Sequence, residues 1–470
     1  MVLALLLGFW GIGRGGSFWG DEAVSLQVAH RDTGRIMRLT QHVDAVHGCY
    51  YLLLHGLFRL HDGGAVLLRT PSVLATAAAA GGIALVGRRL ASPRAGLAAG
   101  LAFPAFPAVQ YYAQEGRSYA LVCAVVVGSW LLLLRAVERP TVGRWACYGL
   151  AALATGLLHE YAVLAVAAQG LTLLTGRQPR RVRAGWALAT GAAAVAMLPL
   201  VLRGAEQAGQ VAWIAEPGTG TVLFGAGLAL VGVLCALVRV PPRPDQRISD
   251  QRIPPPSLRA LALPVLLLPQ GALLLVSFCW TPVYLDRYVL FEYAGLALLV
   301  GAALDAAGRA LPRLGWRALL AVPAALLLLL PLELHLRTPQ SRGNDLAGAA
   351  HAVRALARPG DGVLFLPSSL RQSALALPRD YTGLRDLALL QDGPSLGNLS
   401  GTEVPSAAVP GRLRGADRIV TVRVAPGSTA DPASGQDLAK KRVLAAGFQV
   451  CAQRSVRGLL VTAYARPGHC

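Results

Sequence analysis

Two adjacent carboxylates, Asp21 and Glu22, stand in the stretch FWGDEAVSLQ, just after the first apolar run of the chain. A carboxylate in a partly desolvated pocket can act as a general base, taking a proton from an acceptor hydroxyl or amide as that group attacks. Arginine forks suit a phosphate, which they grip in two-pronged fashion and stabilise as it leaves. Tyrosine and histidine can position sugar hydroxyls. These residue types recur in five segments: Asp21, Glu22, Asp44 and His47; Gln114, Glu115, Arg117 and Tyr119; His159, Glu160 and Tyr161; Arg203, Glu206 and Gln207; and Asp286, Arg287 and Tyr288. An acid base with a phosphate clamp suggests group transfer from a lipid-linked phosphate. No GxGxxG fingerprint follows a strand, which fits a lipid-phosphate donor better than a nucleotide sugar. Taken singly, each residue reads as an ordinary wet-loop charge.

The elements that must carry these residues are apolar helices. Of 470 residues, 54% are hydrophobic and 15% charged, against about 25% charged in soluble chains. Runs of roughly 18 or more apolar residues recur, the length that crosses a bilayer. The chain reads as a polytopic α-helical membrane protein of about eleven spans. They fall at approximately 2–13, 65–87, 95–112, 118–135, 145–159, 161–176, 184–202, 219–238, 258–280, 288–306 and 317–336. The first is short for a core of about 30 Å. Met1 sits directly on apolar sequence with no charged flank, so a longer native first helix is expected. The alternative, a cleaved signal peptide, lacks its basic n-region.

The net charge of +19 would point to nucleic acid in a soluble chain. Here it reads as orientation in the membrane, with no nucleic-acid partner. The segments 88–94, 135–144, 177–183, 239–259 and 307–317 hold 18 arginines, whereas the short alternate loops hold three, Arg117, Arg203 and Arg287. Basic loops mark the cytoplasmic side. The expected topology therefore has the amino terminus inside, the carboxyl tail outside, and the polar segments on the outer face of a cell membrane. The outer loops at 113–117 and 159–161 are very short, so their polar side chains are held against the helix bundle, where ionisable groups are costly. Residues 46–60, VHGCYYLLLHGLFRL, would invert every later loop if they crossed. They read as an interfacial or re-entrant helix inside one long outer loop, 14–64.

Two domains are expected, a membrane part over 1–336 and a small extracytoplasmic α/β domain over 337–470. In the latter, GDGVLFLP (360–367), ADRIVTVRV (416–424) and GLLVTAYAR (458–466) read as strands, and residues 344–360 read as a helix ending at Arg358-Pro359-Gly360. It shows no phosphate loop. Residues 241–257 read as a proline-rich linker. The seven cysteines lack metal spacing; Cys451 and Cys470 in the tail could pair if it is exported. The bias to arginine, alanine and glycine, with Lys440 and Lys441 the only lysines, points to a GC-rich bacterial genome.

An ordered set of segments resembles the membrane-embedded GT-C glycosyltransferases, in particular the family 39-like protein mannosyltransferases and their bacterial relatives, the lipid A aminoarabinose transferases. WGDEAVSLQVA (19–29) is similar to the acidic motif of the first outer loop, and HVDAVHGCYYLLLHGLFRL (42–60) to the segment after it. LLRTPSVLA (67–75) resembles the start of the second span, QYYAQEGRSYALV (110–122) the outer end between the third and fourth spans, and DRYVLFEYAGLALL (286–299) the late R-Y segment. The resemblance implies an inverting glycosyltransferase with a polyprenyl-phosphate sugar donor. Mannose is the family-level sugar, and the acceptor, whether protein, glycan or lipid, is left open. It implies Asp21 as catalytic base with Glu22 as its acidic neighbour, Asp44 as a substrate or metal contact, and Arg117 and Arg287 as phosphate contacts. Where many family members read D-x-x-P-P, this chain has Val46-His47-Gly48, which leaves His47 for a divalent metal or the donor phosphate. Glu115, Tyr119, His159, Tyr161 and Tyr288 complete the expected substrate-binding set. The rival readings are a transporter or flippase of lipid-linked intermediates and a non-catalytic membrane scaffold. For the acids themselves the plain alternative is that both cap an interfacial helix starting near Ala23.

Overall fold

A computed structural model describes residues 1–238, 253–311, 315–426 and 434–470. Residues 241–252 of the expected proline-rich linker lie outside them. The helices in chain order are α1 (Val2–Phe9), α2 (Gly20–Ala29), α3 (Thr33–His42), α4 (Gly48–Leu60), α5 (Gly64–Leu90), α6 (Pro93–Ala102), α7 (Pro107–Ala113), α8 (Tyr119–Glu138), α9 (Val142–Leu158), α10 (Val163–Thr175), α11 (Arg180–Glu206), α12 (Thr219–Leu237), α13 (Leu258–Cys279), α14 (Glu292–Ala310), α15 (Ala321–Leu328), α16 (Leu330–Leu336) and α17 (Leu346–Leu356). Each expected span falls on helix. Among the described residues five single helices are long and apolar enough to cross a bilayer: α5, α8, α11, α12 and α13. The expected span 95–112 is divided between α6 and α7 at Phe103–Phe106, because Pro104 and Pro107 each lack an N–H for the helical ladder.

The chain packs as two compact units. One comprises Met1–Trp10 and Arg69–Leu334, the other Gly11–Leu68 and His335–Cys470. In the first, small residues let helices approach closely, as is common in membranes. A Cβ on Gly301 of α14 would lie 2.5 Å from the Ala99 nitrogen of α6, and one on Gly96 of α6 would lie 2.3 Å from the Ala84 carbonyl oxygen of α5. Its core gathers Val122, Val126 and Trp130 of α8 with Leu261, Val265 and Leu266 of α13 and Leu296 to Leu299 of α14. Two ion pairs join charged side chains of its helices: Arg89 with Glu138 at 2.6 Å, and Arg309 with Asp305 at 2.6 Å.

The second unit joins α2, α3 and α4 to the carboxyl-terminal residues. The segment expected as one outer loop is thus mostly helical. At 13 residues α4 is about 20 Å long, too short to span. The strands are β1 (Gly362–Leu366), β2 (Arg385–Asp386), β3 (Leu389–Gln391), β4 (Thr402–Glu403), β5 (Arg418–Val424), β6 (Gln449–Val456) and β7 (Leu459–Ala465). The main sheet has the order β2-β1-β5-β7-β6, parallel from β2 to β5 and antiparallel beyond. Three strands match the sequence expectation. β6 is an added edge strand, mostly exposed, whose residues QVCAQRSV lack the apolar alternation that marks a half-buried strand. The helix expected at 344–360 is α17, capped by the Asp345 carboxylate accepting from the Gly348 N–H at 3.0 Å. Cys451 and Cys470 form a disulfide.

One core of this unit carries Ala23 of α2 together with Leu346, Ala349, Ala350 and Val353 of α17 and with Val363, Phe365, Val420 and Val461 of the sheet. From Glu22 to Ala29 every residue of α2 but Val24 is buried. It is therefore a core helix of a folded unit, and its apolar face rests on the carboxyl-terminal sheet domain.

Candidate functional site

The expected site residues divide between the two units. In the unit built from 11–68 and 335–470, Asp21 and Glu22 occupy the first turn of α2, where unpaired N–H groups and the helix dipole favour negative charge. Trp19 at the cap position supplies no side-chain cap. Asn344 takes that role, its Oδ1 accepting from the Gly20 N–H at 2.9 Å. Next to it, the Phe18 carbonyl accepts from the Leu346 N–H at 2.7 Å. Glu22 is fully buried, and Arg14 Nη2 donates to both of its carboxylate oxygens at 2.7 Å. Arg14 adopts φ +43°, a left-handed conformation that a side chain of this size rarely takes. The structure thus separates the two acids. Glu22 is engaged in a buried ion pair, whereas Asp21 is half-exposed.

Asp44 also has a left-handed backbone, φ +55°, and its Oδ2 accepts from Tyr51 Oη at 2.7 Å. His47 is buried, with its ring 6.0 Å from that of Tyr51. Arg31 donates to Gln27 Oε1 from Nε at 3.0 Å and Nη2 at 2.8 Å, and to the Asn398 carbonyl at 3.0 Å. Burial pulls its guanidinium down to about 10, against the opposing pull of Tyr51 and Asp392. Trp19 Nε1, Ser25 Oγ and Gln27 Nε2 are buried atoms on or beside α2 with no hydrogen-bond partner among the described residues. Buried donors of this kind call for a partner.

The other unit gathers a second group. Tyr119 at the start of α8, His159 in the turn after α9, Tyr161, and Tyr288 just before α14 form one aromatic cluster. Ring centroids are 4.5 Å apart for His159 and Tyr288, 5.3 Å for Tyr161 and Tyr288, and 5.7 Å for Tyr119 and His159. The Arg287 guanidinium lies 5.9 Å from the Tyr119 ring, 5.7 Å from Tyr288 and 5.6 Å from Trp213, within cation–π range. Asp286 accepts from Tyr112 Oη at 3.0 Å and from the Arg287 N–H at 2.8 Å, which fixes the turn that carries the arginine.

The turn Gln114–Ser118 is buried. Gln114 Nε2 donates to the Gly8 and Trp10 carbonyls at 2.9 and 2.7 Å, and Ser72 Oγ donates to the Glu115 carbonyl at 2.7 Å. This seats Glu115 and Arg117. Outside the helices, burial first and then the charges of Arg117 and Arg287 push His159 down to about 3, so its ring is neutral. Burial raises the Glu160 carboxyl. Two guanidinium groups acting on one buried imidazole make an electropositive patch with aromatic faces, suited to an anion carrying an apolar or sugar body.

Tyr119, His159, Tyr161, Arg287 and Tyr288 thus come together, with Arg117 in electrostatic reach. Arg203 and Glu206 instead pair with each other at 3.5 Å on an exposed helix end. Sequence reasoning missed Arg14, Asn344, Tyr51, Tyr112 and Trp213. Arg14 carries a local signal, a basic residue in a Gly-Arg-Gly-Gly turn; Asn344 carries none, since its partner lies 324 residues away. Among the described residues no group of three or more His, Cys, Asp and Glu side chains could hold a metal ion.

Residues 49–202 match the family model of the dolichyl-phosphate-mannose-protein mannosyltransferases. No curated protein matches the chain by sequence. Among solved structures, ArnT from Cupriavidus metallidurans bound to undecaprenyl phosphate superposes with a TM-score of 0.57 at 15% identity, covering 98% of this chain and 96% of that one. The apo state of the same protein gives 0.54 at 17% identity, covering 94% and 95%. The chain accordingly shares the GT-C fold of ArnT along its whole length and is similar over residues 49–202 to the protein mannosyltransferase family model.

Proposed function

We propose that the chain is an inverting glycosyltransferase that moves a sugar from a polyprenyl-phosphate donor to an acceptor on the extracytoplasmic face of the membrane. The observation that carries this reading is the end-to-end likeness to ArnT, a protein solved with undecaprenyl phosphate bound. The arginine-aromatic cluster around Arg287 supports it at the level of side chains, and the name of the family matched over 49–202 favours mannose as the sugar. The arginine asymmetry of the loops and the Cys451–Cys470 disulfide, a bond that persists in oxidising compartments, favour an exported tail.

In this reading Asp21 accepts the proton of the acceptor hydroxyl or amide. The acceptor atom bonds to the anomeric carbon from the face opposite the phosphate. The carbon–oxygen bond to phosphate breaks, and its electron pair leaves with polyprenyl phosphate. One base and one leaving group suffice, and the configuration inverts. Arg117 and Arg287 balance the charge on the departing phosphate, His159 stays neutral, and Tyr119, Tyr161 and Tyr288 offer faces and hydroxyls to the sugar. Glu115 completes that wall. Glu22 acts through Arg14 to hold the first turn of α2. Asp44, set by Tyr51, and His47 bind substrate.

The test is sugar transfer in purified membranes given radiolabelled polyprenyl-phosphate mannose, comparing wild type with Asp21→Asn at matched protein levels. Label reaching an acceptor with wild type alone is expected. Full transfer by Asp21→Asn would refute the assignment of the base.

A further inference from the structure

Helices α9 and α11 touch through small residues. A Cβ on Gly185 would lie 2.3 Å from Trp145 Nε1, and one on Gly149 would lie 3.1 Å from the Ala189 carbonyl oxygen. Beside this contact a furrow of about 800 Å³ stays open, walled by Val142, Ala146 and Leu150 of α9 and by Ala184, Leu188 and Ala192 of α11. It runs along α9 as far as Leu153 and along α11 from Arg181 to Ala193. Twelve helical steps make it about 18 Å long, close to half of a hydrocarbon core of about 30 Å. The furrow therefore has the depth of one leaflet.

Its ends differ. Arg181 lines one end and is the only charged residue in the wall. Arg177, Arg180 and Arg183 lie in the same turn of sequence, and between residues 139 and 205 the one acid is Glu160, beyond the opposite end of α9. Arg144 is already engaged, donating to the Arg135 carbonyl at 2.8 Å. Glu138, just before the lining residue Pro140, is engaged by Arg89 at 2.6 Å. An apolar trough one leaflet deep with an exposed cation at one end complements a lipid with a negative headgroup. We propose that this furrow is a binding site for an anionic phospholipid, one acyl chain lying between α9 and α11 and the headgroup against Arg181. It does not depend on the glycosyltransferase reading.

A second furrow on the other side of α11 provides an internal control. It has about 400 Å³, is walled by Val163, Val166, Ala167, Thr190 and Gly191 among others, and has no charged residue in its lining. It takes hydrocarbon without preference for a headgroup.

The full-length protein would be reconstituted in nanodiscs of equal phosphatidylglycerol and phosphatidylcholine, and the lipid retained after release would be counted by native mass spectrometry. Wild type should retain phosphatidylglycerol in preference. Arg181→Gln, at an exposed position, should cut that preference about fivefold. Ala146→Leu with Ala192→Leu, both exposed, should fill the trough and abolish retention. Gly191→Leu, in the second furrow, should leave the preference unchanged. Equal retention of both lipids by wild type, or an Arg181→Gln protein indistinguishable from it, overturns the proposal. So does a furrow-filling variant that loses self-association or polyprenyl-phosphate binding while keeping phosphatidylglycerol, since the occupant would then be a second copy or the donor's tail.

Discussion

Replacing Arg14 by alanine should unseat α2 and the acid it carries. Arg14 and Glu22 are both fully withdrawn from solvent. Charges about 4 Å apart attract by about 4 kcal/mol at an effective dielectric of 20, comparable to the desolvation that their burial costs, so the intact pair adds little net stability. Removing one partner is a different matter. The Glu22 carboxylate would remain buried without its cation, a loss of about 3–5 kcal/mol. That corresponds to roughly two to four powers of ten in the local opening equilibrium. Hydrogen exchange of the full-length protein in nanodiscs, followed on peptides covering 18–29, reads this directly. Arg14→Ala should speed exchange there by at least a hundredfold. Arg14→Met combined with Glu22→Gln, which removes both charges and keeps most of the volume, should recover the larger part. Exchange in Arg14→Ala within threefold of wild type would refute the reasoning, because the pair would then be no anchor for the helix.

The other two expectations concern single groups. Asn344→Ala removes the acceptor that caps α2 and should cost about 1 kcal/mol, a five- to tenfold faster exchange at 18–23. Asn344→Asp should largely restore protection, and equal losses in both variants would count against the capping role. His159 should show no titration between pH 5 and 8 by nitrogen-15 NMR of the ring, since its folded value lies near 3. With that value below the unfolded one, its contribution to stability is intact above about pH 6.5 and falls away as the pH drops from there toward 3; a transition near 6.5 would contradict first its burial and then the placement of Arg117 and Arg287 beside it.

Much of the architecture was legible in composition. Apolar runs marked the helices of the membrane part, and arginine loops divided them, but α3, a polar helix inside the expected outer loop, left no such mark. Turn residues such as Arg358-Pro359-Gly360 bounded the first strand of the tail. The site was legible where its members lie close in sequence to a span end, as with Arg117–Tyr119, His159–Tyr161 and Arg287–Tyr288. Less visible were contacts that join distant segments. Nothing in WGDE announces that its turn is capped from residue 344, or that Ala23 packs on a sheet starting at residue 362. The different surroundings of Asp21 and Glu22 were equally hidden, because adjacent carboxylates look alike until one of them meets Arg14. β6 escaped notice since an exposed edge strand need not alternate apolar with polar residues.

The unit that holds α2 is made of two pieces of chain, 11–68 and 335–470, with 266 residues between them. During synthesis the acid-bearing segment emerges early and must wait for its partner, which is the last part of the chain to be made. Gly20 cannot meet Asn344, nor Ala23 the sheet, until the intervening helices have been inserted. The order of assembly thus acts as a completeness check. A chain cut short before residue 344 would contain every membrane helix and the whole acidic motif, and still lack the seat that orders the motif.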